Sequence, residues 1–177
     1  MKKYGKMKSE KMKNKIFAAI LIALIIVSSI YFIFIPKNNP ELIISPDGSE
    51  EKFISLINSA NDSIYIENYY FTNEKIALSL IAAKNRGVKV YTLIENNEGV
   101  DKIYKLLNEN NISIKIDKRE ILIHSKFIVI DKKIVVVGSH NLTKTAMEEN
   151  REVSIIIENE EIAKKLIELF ENDYYLT

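Results

Sequence analysis

The sequence predicts an α/β domain, a mixed β-sheet flanked by helices, preceded by one N-terminal transmembrane helix. Three observations carry this. Apolar runs suited to strands alternate with apolar residues at helical spacing from Leu42 to Phe170. A strand, helix, strand unit between Ser63 and Ile94 favours a right-handed crossover and parallel pairing. Twenty consecutive residues without a charge, Ile16 to Ile35, stand ahead of all of it. The chain has 177 residues, 47% of them hydrophobic, which suffices for one domain with a core plus an appendage.

The appendage comes first. As a helix, residues 16–35 would span about 30 Å, the thickness of a bilayer's hydrocarbon core. Residues 1–15 form a basic tail, with seven lysines against Glu10, whereas only Lys37 follows the span closely. The positive-inside rule then puts the N-terminus in the cytoplasm and the remainder outside the cell membrane. The competing reading is a cleaved secretory signal. Its apolar core would exceed the usual ~7–15 residues and no A-x-A site follows, so an uncleaved single-pass anchor is expected. Residues 36–40, PKNNP, form a linker because two prolines end the helix. The absence of cysteine excludes disulfide and thiol chemistry.

The domain is residues 41–177. Leu42 to Ser45 suits a strand, ended by the turn signal Pro46-Asp47-Gly48, and Ser49 is placed to cap a helix carrying Phe53, Leu56, Ile57 and Ala60. Ser63 to Phe71 is rich in β-formers. Thr72 or Asn73 caps the next helix, with Ile76, Leu80, Ile81 and Ala83 as its stripe, before the strand Val88 to Ile94. Val100, Ile103, Leu106 and Leu107 mark a helix, Ile112 to Ile116 a strand, Ile121 onward a strand, then Ile134 to Val137 another. Val153 to Ile157 is the last strand, and Ile162 to Phe170 marks the closing helix.

The chemistry concentrates between Ile121 and Asn141, where His124, Lys126, Asp131, Gly138, Ser139 and Asn141 stand in the pattern H-x-K-x4-D-x6-G-S-x-N. A neutral imidazole is suited to attack an anionic phosphodiester and to be released later by water. On a strand, positions i and i+2 share a face, so His124 and Lys126 project together and Lys126 can hold a phosphate oxygen. Asn141 can donate to a second oxygen and, with Lys126, stabilise the charge of a pentavalent transition state. Ser139 offers a further donor. Asp131 lies an odd number of residues from His124 and should face away. His140 occupies the unspecified position and reads as a loop residue.

These residues resemble the phospholipase D superfamily of phosphodiesterases, and the resemblance covers essentially the whole domain, including RGVKV at the third strand. It implies structural roles for Asp131 and Gly138, and a Glu after the G-S-x-N turn that hydrogen-bonds a catalytic histidine; Glu152 matches. Glu95 stands where some relatives have Asp. The H-x-K pattern occurs once in this chain, while the implied mechanism needs one histidine to attack and one to protonate the leaving oxygen. A homodimer with one shared site follows. No cofactor or metal is implied.

The substrate is expected to be nucleic acid, making the chain an endonuclease, with phospholipids such as cardiolipin as the alternative. A catalytically dead membrane-tethered binding domain is the reading of another class, and the intact motif opposes it. Charge counts against DNA: without the first forty residues the chain has 17 basic and 23 acidic residues, or −6. Lys115, Lys118 and Arg119 are the local patch that would offset this. Tyr69, Tyr70 and Phe71 would stack on bases or line a lipid cleft.

Overall fold

The computed structural model describes residues 12–27 and 39–177. It divides into two units, residues 1–37 and 38–177. In the first, residues 12–27 form helix α1. Among the described residues no helix is long and apolar enough to cross a membrane. The expected span 16–35 shares residues 16–27 with α1, and 28–35 lie outside the described residues.

The second unit is a mixed α/β fold. Its strands are β1 (Glu41–Ile44), β2 (Ser63–Asn68), β3 (Lys89–Glu95), β4 (Ser113–Asp117), β5 (Lys126–Ile130), β6 (Ile134–Gly138) and β7 (Val153–Glu158). Its helices are α2 (Ser49–Ser59), α3 (Glu74–Asn85), α4 (Val100–Glu109), α5 (Lys144–Glu148) and α6 (Glu160–Leu176). The seven strands lie in the order β1-β7-β6-β5-β2-β3-β4. β2, β3 and β4 run parallel, as the helical crossovers require, and the other pairings are antiparallel.

Alternation along the strands feeds two cores. Ile64, Ile66, Ile128 and Ile130 face the layer of α2, α3, α4 and α5, while Tyr65, Leu93, Phe127 and Val129 face Ala163 and Phe170 of α6. One cap differs from expectation. Gly48, in the left-handed region, precedes α2 instead of Ser49, whose hydroxyl donates to the Met147 carbonyl at 2.8 Å. Of the two residues expected to cap α3, Asn73 does so by accepting the Ile76 N–H.

The β5–β6 connection fixes Asp131. Asp131 and Lys132 have φ of 51° and 57°, and Lys133 N–H donates to Ile130 O at 3.1 Å, which is a type I′ hairpin turn. The Asp131 carboxylate accepts N–H bonds from Asn61, Asp62 and Ser63 at 2.7–3.1 Å, tying the turn to the start of β2. Burial alone would push this carboxyl up, but the three backbone donors outweigh it and hold it below its ordinary value of 3.8. The stability it provides is therefore full above that ordinary value and lost as pH falls through the depressed one. Asp131 stands five residues along β5 from Lys126, about 17 Å at strand rise. Asp131→Ala should cost about 1–2 kcal/mol of stability, because the Asn61 and Asp62 N–H groups can turn to water while the Ser63 N–H, whose bond is part-buried, loses its acceptor, with activity kept near wild type where the protein remains folded. Denaturant unfolding at pH 7 and near pH 3 checks this: the gap between variant and wild type should narrow in acid.

Candidate active site

The motif residues, apart from Asp131, converge on one end of the sheet. β2 ends there at Asn68, which pairs with Lys126, the first residue of β5; β6 ends there at Gly138, which pairs with Ser154 near the start of β7. His124 stands just before β5 in unpaired backbone, so the strand is shorter than expected, yet the alternation persists. Lys126 Nζ lies 3.4 Å from His124 Nδ1 and donates to the His124 carbonyl at 2.8 Å. Tyr69 packs against this pair: its ring centroid is 4.5 Å from that of His124, and Lys126 Nζ lies 5.1 Å from it. Burial pushes the Lys126 ammonium pKa down, and the Glu152 carboxylate opposes the shift.

Gly138 is required by close approach. A Cβ there would meet Val153 O at 2.3 Å and Ser154 Cα at 2.4 Å, so any side chain would force β6 and β7 apart. The next residue closes the turn: Ser139 Oγ donates to Glu152 Oε2 and accepts the Val153 N–H at 3.1 Å. Its one proton is thus spent on Glu152, and Ser139 orients that carboxylate instead of standing free for a phosphate. Glu152 also accepts from Asn150 Nδ2 at 3.0 Å, while its own N–H donates to Ser45 Oγ. Within one chain its carboxylate bonds Ser139 and Asn150, not His124. Asn141 Oδ1 is buried without a hydrogen-bond partner.

His140 does lie in the loop, but it is buried. Its Nδ1 is 2.7 Å from Ser154 Oγ and its ring meets the edge of Phe53 with centroids 5.3 Å apart. Burial pushes its pKa down, against a smaller opposing pull from Glu152. Asn68 holds the same loop: its Oδ1 accepts from Tyr70 and Leu142 N–H, and its Nδ2 donates to the His140 carbonyl at 3.2 Å. Sequence reasoning missed Asn68 and Glu67. The sequence shows only that the strand SIYIEN ends on two polar residues; that both are as buried as the apolar ones before them is seen in the fold alone.

The expected basic patch is largely committed to structure. Lys115 Nζ donates to the Tyr174 carbonyl and sits 4.6 Å from its ring centroid. Arg119 forms ion pairs with buried Asp117 and with Asp173. Of the three, only Lys118 remains exposed without such a partner.

Residues 53–174 match the family described as cardiolipin synthase, phospholipase D-like domain. The chain belongs to the phospholipase D-like family. A phospholipase D of Rickettsia conorii is 38% identical over 125 residues, covering 70% of this chain and 62% of that protein, so the match spans about three fifths of that relative. Among solved structures, the phospholipase D family member Nuc from Salmonella typhimurium aligns with a TM-score of 0.74 at 28% identity, over 78% of this chain and 95% of that one. NucT from Helicobacter pylori aligns at 0.67 and 26% identity, over 77% and 96%. The matched residues hold strands β2 to β7, and members of the phospholipase D superfamily are phosphodiesterase-type hydrolases.

Proposed function

We propose that the chain is a metal-independent phosphodiesterase acting through a phosphohistidine on His124. The observation that carries this reading is the convergence of His124, Lys126 and Asn141 at one sheet end, with the ammonium 3.4 Å from the imidazole. An imidazole nitrogen attacks phosphorus, the P–N bond forms and the P–O bond to the leaving alcohol breaks. A second imidazole gives that oxygen its proton, then takes one from the water that releases the phosphoryl group. Each chain has one such histidine. The active unit is therefore a homodimer that brings His124 from both chains to one site, which leaves Glu152, bonded to Ser139 and Asn150 in its own chain, to be read as a positioning group for the pair. Lys126 and the Asn141 amide supply the electrostatic stabilisation that a cation would otherwise provide. Activity should survive excess EDTA; loss in chelator restored by Mg2+ or Zn2+ would overturn this part.

Of the two substrates expected from sequence, nucleic acid and phospholipid, the surroundings support the phospholipid. Lys115 and Arg119 are occupied, the domain carries −6, and Ile121 and Leu122, shortly before His124, are 79% and 58% exposed. The apolar span 16–35 would hold such a site at the membrane, with the N-terminus cytoplasmic and the domain outside. The similarity to a protein named phospholipase D points the same way. Assays on cardiolipin vesicles, single- and double-stranded DNA and RNA decide it. Turnover of the vesicles alone supports the lipid reading, and cleavage of DNA or RNA alone returns the site to an endonuclease with Tyr69 as a base-stacking platform.

A further inference from the structure

The segment carrying His124 lies outside the sheet's ladder, because β2–β5 pairing begins at Asn68 and Lys126. Its groups need other partners. Tyr69 N–H donates to the Ser125 carbonyl at 3.1 Å, Ile123 N–H donates to Glu95 Oε2 at 2.9 Å, and the Ser125 hydroxyl donates to Glu67 Oε1. Both carboxyls sit on the α6 face, two residues beyond Tyr65 and Leu93 of that core, and are 2% and 8% exposed. Glu67 is the costlier to bury. Its Oε2 is enclosed without a partner, and burial pushes its pKa up, with Asp173 and Asp117 adding to that and Ser125 and Arg119 opposing it. No requirement of the core explains a carboxyl there, since Tyr65 and Phe127 beside it are apolar or aromatic.

We infer that Glu67 is a positioning residue that, through Ser125, fixes the backbone between His124 and Lys126. This rests on the reading of His124 as nucleophile. Ser125 is the single residue separating imidazole from ammonium, so rotation of its backbone changes their distance directly. Glu95 holds the residue ahead, and the histidine is bracketed. The two carboxyls differ in use: Glu95 accepts N–H bonds on both oxygens, from Ile123 and Asn96, while Glu67 uses one. Glutamine at 67 keeps that acceptor.

The test measures hydrolysis of bis(p-nitrophenyl) phosphate by the full chain and by Glu67→Gln, Glu67→Met, Ser125→Ala and the Met/Ala double variant. Glu67→Gln should stay within about threefold of wild type, while Glu67→Met and Ser125→Ala each lose about 10- to 30-fold in kcat with KM within about twofold. The double variant should lose no more than the worse single one, because both act through one bond. Amide exchange at residues 123–125 should quicken in Glu67→Met and Ser125→Ala while the β2–β5 ladder stays protected. Additive losses, or unchanged kcat and exchange in Ser125→Ala, would overturn the inference; Ser125→Ala decides alone if Glu67→Met does not fold. A His124→Ala control that retains turnover would instead sink the nucleophile reading, and the exchange measurement would still test the positioning.

Discussion

Replacing His124 by alanine should abolish turnover, with a loss on the order of 10⁴-fold or more, because it removes the attacking atom and, through the two-fold axis, the proton donor as well. Mixed dimers separate the two roles. With one intact His124, the nucleophile survives and the acid does not, so substrates with an alkoxide leaving group should turn over slowly or trap the intermediate. A nitrophenolate leaves without a proton, and with it the mixed dimer should recover its first step. Light scattering under assay conditions provides the check: a monomer as active per chain as the concentrated protein would remove the shared site from the account.

Lys126→Ala and Asn141→Ala should each lower kcat by about 100-fold or more, the effect of removing one donor from a charge that develops only in the transition state. The loss should fall on kcat more than on KM, because the ground-state phosphodiester already has one negative charge and the pentavalent state gains another. Lys126→Arg should not restore the rate. The ammonium is a compact charge seated between the His124 carbonyl and the Tyr69 ring, and a planar guanidinium of greater reach does not fit that geometry. Steady-state kinetics of the three variants measure it, and a variant changed in KM alone would reassign the residue to ground-state binding.

The grouping of His124, Lys126 and Asn141 was legible as a pattern of residue types, because local spacing puts His124 and Lys126 at the start of β5 and Asn141 just beyond the end of the neighbouring β6. Less was legible where a residue's fate depends on distant chain. His140 reads as an unspecified loop position, and its burial comes from Phe53, 87 residues away, and Ser154 across the β6–β7 pair. Lys115 looked free because its partner, Tyr174, lies 59 residues on in α6; Arg119 is held by its near neighbour Asp117 as well as by Asp173 of α6, and only the second of these was out of local reach. The motif strand looked longer than it is, since an extended segment alternates whether or not a neighbour pairs with it, and β2 ends at Asn68 before it could pair with His124. α5 was missed altogether: five residues capped by Thr143 are too short for a helical stripe. The antiparallel seating of β1 beside β7 also has no local signature.

The most direct test is to quench the enzyme during turnover of a radiolabelled phosphodiester and map the label on the chain. The account predicts an acid-labile, alkali-stable phosphoramidate on the peptide containing His124, absent from His124→Ala. A turnover-competent enzyme that carries no label at His124 at any quench time, or carries it on another residue at a competent rate, would contradict it.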